Sequence, residues 1–74
     1  MKYHPKLELL NEYENYVSIE SMLDHASVDS VVPGICIREG CEYTADVEPD
    51  QDKGWCENCG MQTVNSCLVI AGVI

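Results

Sequence analysis

Seventy-four residues make one domain and leave no room for a second core. Thirteen acids against four bases give a formal charge of −9. Lys2, Lys6, Arg38 and Lys53 are then the whole cationic inventory, too little for nucleic-acid binding, which rests on several Lys or Arg contacts to phosphate.

A domain of this size buries only ~60% of the surface its unfolded chain exposes. Its apolar core seldom yields more than ~3–5 kcal/mol, so a staple is expected. Five cysteines offer one. Their odd number argues against a secreted disulfide framework. No apolar run follows Met1–Lys6, as a leader would need. The apolar tail 67–74 falls well short of the ~20 residues of a membrane span. The expectation is a cytoplasmic protein without a membrane segment, where thiols stay reduced and clustered cysteines hold metal.

In chain order, residues 5–16 place Leu7, Leu10 and Tyr13 at helical spacing, with Pro5 suited to a first turn. This predicts a short helix. Ser18 is a candidate N-cap for a second, from Ile19 to about Ala26. There Ile19, Met22, Leu23 and Ala26 form one apolar face. Val31-Val32-Pro33-Gly34 reads as the turn that ends the helical part. Ile35-Cys36-Ile37 is a short extended piece, and Glu42 to Glu48 alternates as a strand. A polar turn over 49–54 leads to Trp55 and a second cysteine pair. From Thr63 on, Val64, Cys67, Leu68 and Ala71 match one face of a helix. The fold class expected is a small α+β, metal-stabilised domain. It has one or two N-terminal helices, a zinc-ribbon-like or treble-clef-like knuckle–hairpin–knuckle, and a C-terminal helix. Within the single domain 1–74 these parts fall at 1–30, 31–60 and 61–74.

Cys36 and Cys41 are separated by four residues, Cys56 and Cys59 by two, and fourteen lie between the pairs. A two-residue gap lets two sulfurs reach one ion from a tight turn. The intervening stretch is long enough for a strand, a turn and a return. Zinc wants four such ligands at tetrahedral angles. Gly40 and Gly60 supply the backbone freedom that such turns need. The reading is one Zn2+ per chain, with iron of rubredoxin type as the alternative, because four thiolates suit both. A Cys56–Cys59 redox disulfide is less favoured, since no βαβ pattern surrounds it. Cys67 is read as a buried small hydrophobe. His4 and His25 are read as surface or helix-end residues, and Asp46, Glu48, Asp50 and Asp52 as a solvated turn. Trp55 is read as a cap over the knuckle, with a partner anchor as the alternative.

The segment Pro-Gly-Ile-Cys … Gly-Cys-Glu-Tyr-Thr … Gly-Trp-Cys-Glu-Asn-Cys-Gly, from Pro33 onward, resembles a family of small uncharacterised bacterial and phage-type proteins. They share a Gly-Trp-Cys-x-x-Cys-Gly block followed by an apolar helical tail. The resemblance covers a little over half the chain and is sharpest over Gly54–Gly60. It implies a zinc-ribbon-like or rubredoxin-like site at the four cysteines, and a small residue at the position of Cys67. It implies no activity.

Four thiolate ligands close a zinc site, whereas a catalytic zinc keeps a position open. No nucleophile–base set is visible either, so no enzyme is expected. Three functions compete. The leading one is a structural zinc domain acting as a protein-interaction adaptor. Val64, Leu68, Val69, Ile70, Val73 and Ile74 would then offer an apolar tail for a protein partner or a weak homodimer. The second is an acidic inhibitor that mimics nucleic acid on a basic protein. The third is an iron electron carrier.

Overall fold

The computed structural model describes residues 3–73. Lys2 and Ile74, counted above as a base and an apolar tail position, lie outside them. Helix α1 spans Pro5–Glu14, with Pro5 at its start. Its N-cap is His4, whose Nδ1 accepts from the Lys6 N–H at 3.0 Å. Asn15 stops the helix in the left-handed conformation, φ 62°, and its N–H returns to the Asn11 carbonyl. Helix α2 spans Ile19–Ala26 behind the Ser18 cap, whose hydroxyl accepts from the Ser21 N–H at 3.1 Å. Both helices turn their apolar faces inward. Leu7, Leu10, Met22 and Ala26 are buried, while Ile19 and Leu23 pack at the margin.

Four strands follow: β1 Val32–Cys36, β2 Thr44–Val47, β3 Gly54–Cys56 and β4 Met61–Ser66. They form one antiparallel sheet in the order β2-β1-β4-β3. The excursion between the cysteine pairs is present, with β2 running out and β3 returning. The two lie on opposite edges of the sheet, with β1 and β4 between them. The crossing segment is tied to the end of β4, where the Ser66 N–H donates to Gln51 O at 2.9 Å. The Ser66 hydroxyl donates to Pro49 O at 2.5 Å.

Two expectations are corrected. Pro33-Gly34 is not a turn but part of β1, a central strand. Hydrogen-bond direction alternates along it: the Cys36 N–H donates to Tyr43 O toward β2, and the Ile37 N–H to Thr63 O toward β4. By that alternation Pro33, which lacks an N–H, faces the β4 side beyond the last paired residues, Gly34 and Ser66. No ladder bond is lost there. Gly34 sits where the strands crowd: a Cβ would lie 2.8 Å from Asn65 O and 2.8 Å from Val47 Cγ2.

The helix expected over 61–74 begins only at Cys67. Residues 61–66 are β4, and α3 is the short turn Cys67–Ile70. Val64 and Ser66 point inward with half-buried Thr63 and Asn65 flanking them, which is the period of a strand. Ser66 ends the strand and caps α3, accepting from the Val69 N–H at 3.1 Å. Thus Val64 is buried from a strand, and Cys67 and Leu68 from the helix.

The core is in two parts. One joins Leu7, Leu10, Met22, Ala26, Val32, Ile35, Cys67 and Leu68, at the helical end. The other joins Cys36, Cys41, Cys56 and Val64. Among the described residues no helix is long and apolar enough to cross a membrane.

Candidate metal centre

Two hairpins lie side by side with their turns at the same end of the sheet, because β1 and β3 both run antiparallel to β4. Each supplies one cysteine at the end of its first strand, Cys36 from β1 and Cys56 from β3, and one from the turn that follows. In the first turn the Cys41 N–H donates to Arg38 O at 3.1 Å, and Gly40 takes φ 85°. A positive φ at the third residue of such a turn is what favours glycine there. In the second, the Gly60 N–H donates to Cys56 O at 2.8 Å, with Gly60 at φ 69°. The sequence placed both glycines correctly.

The four Sγ atoms all lie within 4.8 Å of one another. Cys36 and Cys59 approach to 3.8 Å, Cys41 and Cys56 to 3.7 Å. Zn–S bonds of ~2.3 Å at tetrahedral angles put sulfurs about 3.8 Å apart. All four thiols are free, and so is Cys67. Cys36, Cys41 and Cys56 are buried and Cys59 is half-buried. Four clustered soft donors of this geometry fit one metal ion of the zinc or iron kind. Among the described residues this is the one group of three or more His, Cys, Asp or Glu side chains close enough to share an ion.

Donors surround the sulfurs. The Asn58 amide reaches Cys41 Sγ at 3.4 Å, the Cys59 N–H reaches Cys56 Sγ at 3.3 Å, and Thr63 Oγ1 lies 3.0 Å from Cys36 Sγ. The Asn58 amide first, and then the Tyr43 backbone, hold the Cys41 thiol down at about 6. Cys59 is pushed up to about 12, mainly by its hydrogen bond with Cys41 and by burial. One sulfur thus takes charge readily while its neighbour, which donates to it, stays neutral.

Two side chains of α1 grip the first knuckle. Lys6 is buried, 8% exposed, and its ammonium donates to the Cys41 carbonyl. Tyr13 donates its hydroxyl to Glu42. The sequence assigns neither to the site: it counts Lys6 only among the four bases and places Tyr13 on the apolar helix face, where the structure leaves it exposed. Asn58 and Thr63 are not read from it as site residues either. The spacing of 6, 10 and 13 did carry a signal, since it puts Lys6 on the helix face that Leu10 buries. Asn58 stands inside the Cys-x-x-Cys gap, where only the fold shows which sulfur it meets.

The remaining candidates fall outside the cluster. His4 is an exposed helix cap, and His25 is exposed with its ring 5.3 Å from that of Tyr16. Asp46, Glu48, Asp50 and Asp52 are all exposed. Cys67 lies in the helical core, and burial pushes its thiol up to about 11. Trp55 departs from its expected role as a cap. It stands on the edge strand β3 and is 57% exposed, so it does not seal the sulfurs.

No protein-family model, no curated protein and no solved structure matches this chain. The resemblance of its Gly54–Gly60 block to the zinc-ribbon-like phage-type proteins is therefore not joined by a family match. The metal-binding geometry rests on the four cysteines themselves.

Proposed function

We propose that this chain is a structural zinc domain that works as a protein-interaction adaptor. The observation that carries the metal is the sulfur spacing, 3.7 and 3.8 Å across the two hairpins, against about 3.8 Å for a tetrahedral zinc site. Four protein ligands complete the coordination and leave no place for a reacting water. The groove beside the first knuckle, about 400 Å3, is wide enough for a small molecule. Two of its polar groups are already engaged: His4 Nδ1 holds the Lys6 N–H, and the Lys6 ammonium holds Cys41 O. That supports a binding domain over an enzyme.

The surface around the knuckles supports the adaptor reading. Trp55, Met61 and Ile37 are 57%, 46% and 42% exposed, and an exposed tryptophan is a common interface anchor. The apolar tail supports it less. Cys67 and Leu68 are buried, Val69 and Ile70 are half-buried, and Val73 stands exposed. A chain of formal charge −9, falling to about −11 with four thiolates and Zn2+, matches a basic protein surface and repels nucleic acid.

Elemental analysis of protein purified from its native host tests the metal. About one zinc per chain is expected. A red, iron-loaded protein points to an electron carrier instead, and a folded protein without metal overturns the reading. Capture of a host partner that is lost on Trp55→Ala and survives high salt supports the adaptor. Binding that salt abolishes points to the acidic mimic.

A further inference from the structure

Lys6 is a charged side chain that the fold buries, and burial of an ammonium is costly unless charge or hydrogen bonds compensate it. A lysine near the start of a surface helix can ordinarily run its stem along apolar surface and leave its head in water. Here the head is turned inward. The hydrogen bond found for it among the described residues ends on the carbonyl of Cys41, not on a carboxylate. Cys41 is one of the four cysteines of the cluster. The partners are 35 residues apart in sequence, so only the fold creates this contact.

A loaded centre would give this arrangement a reason. Four thiolates around a divalent metal would carry a net charge of −2, gathered among buried groups and inside a protein already at −9. In that setting a nearby positive charge acts at less than the full screening of water.

Resting on the metal reading above, we propose that Lys6 is the counter-ion of the four-thiolate centre. Helix α1 delivers this ammonium to the first knuckle, so metal occupancy and docking of α1 favour each other. Tyr13, two turns further along the same helix, holds the adjacent Glu42 and keeps α1 in place over the knuckle. The coupling is reciprocal: what strengthens the docking of α1 strengthens metal binding, and loss of the metal loosens α1.

The test uses the full chain with Lys6→Met, Lys6→Arg and Lys6→Gln. Zinc affinity is read by competition with a chelator of known affinity. The midpoint potential of the iron-substituted protein is read electrochemically. Lys6→Met is expected to weaken zinc roughly tenfold or more, the usual scale for a partner just outside the ligands. It should also lower the iron potential, because the ferrous centre carries one more negative charge than the ferric and loses more when the cation goes. Lys6→Arg keeps the charge and should stay close to wild type in both. Lys6→Gln keeps a donor for the Cys41 carbonyl without the charge. It should follow Lys6→Met, and it serves if Lys6→Met does not fold. A merely structural tie would lower stability and leave the potential alone. An unchanged potential in Lys6→Gln or Lys6→Met therefore overturns the proposal. A wild-type chain that takes up neither zinc nor iron overturns the metal reading instead.

Discussion

Around Leu7, Leu10, Met22, Val32 and Ile35 the domain closes with carbon side chains, each burial contributing about 1.5–3 kcal/mol for the larger ones. Around Cys36, Cys41 and Cys56 the one other buried hydrophobic side chain is Val64. The two ends share a sheet, since β1 carries Val32 and Ile35 into one cluster and Cys36 into the other. They do not share a source of cohesion. A helical end can compact by apolar burial, whereas hairpin turns that meet through four sulfurs would gain their cohesion from an ion drawing the sulfurs together. The division shows how a short chain can form two cores: apolar residues fill one, and a metal on the four cysteines would substitute for them in the other.

The largest effect should come from breaking the cysteine end. Structural zinc in small domains contributes an apparent ~10–16 kcal/mol at neutral pH, more than the helical core can replace. Cys56→Ser is expected to abolish tight zinc binding and collapse the amide dispersion of residues 36–64. Leu10→Ala, at the other end, removes a fully buried side chain and should cost ~2–5 kcal/mol while zinc still binds. Heteronuclear NMR of the two variants with zinc present makes the contrast directly. A well-dispersed 36–64 region in Cys56→Ser would show that the two ends do not differ in this way.

A smaller effect should sharpen the comparison at the seam. Gly34 lies in β1 between the two clusters, and the added methyl of Gly34→Ala would meet a backbone carbonyl and the Val47 side chain, both at 2.8 Å. Val47 can rotate, but the Asn65 carbonyl is fixed by the β1–β4 ladder. The strands must part slightly, at a cost of ~1–3 kcal/mol. Because β1 serves both clusters, thermal stability and zinc affinity should fall together. A loss of stability with unchanged zinc affinity would place the strain in the helical end alone.

The sequence showed the cysteine cluster and the starts of α1 and α2 because each is a local device. Cys-x-x-Cys with a following glycine, Ser18 before an apolar stripe, and Pro5 at a first turn all act within a few residues. It misled where a local signal met a long-range demand. Pro33-Gly34 is turn chemistry by its dipeptide, yet the fold uses the proline where no ladder bond is required and the glycine where strands crowd. Val64, Cys67, Leu68 and Ala71 keep helical spacing by coincidence, because Val64 belongs to a strand that must pair with β1 and β3. Lys6 was unreadable as a partner of Cys41, since nothing in a helix names the carbonyl its side chain will meet across the fold. Trp55 stands beside a ligand in sequence, but its place on an edge strand turns it out to solvent.

The finest test of the helical end uses its own cysteine. Cys67 opens α3, is fully buried, and packs in the apolar cluster. Burial raises its thiol to about 11, above the ~8.5 of an unfolded chain. The folded state thus favours the neutral thiol. The stability this contributes is fully present below the unfolded pKa and is lost as pH rises through about 11. Cys67→Ala should cost ~1 kcal/mol near neutrality, from the small cavity it leaves, and it removes this titration. The stability gap between zinc-loaded wild type and variant should hold up to about pH 8, then close and change sign before pH 11, because ~1.4 kcal/mol per unit of the raised thiol soon exceeds the cavity cost. Tyr3 and Tyr13, raised by their hydrogen bonds to Glu20 and Glu42, are common to both proteins and cancel in the difference. Denaturant midpoints measured across that range decide it. A gap that stays constant would mean that Cys67 is open to water on unfolding and folding alike, and that the helical core is looser around α3 than its burial implies.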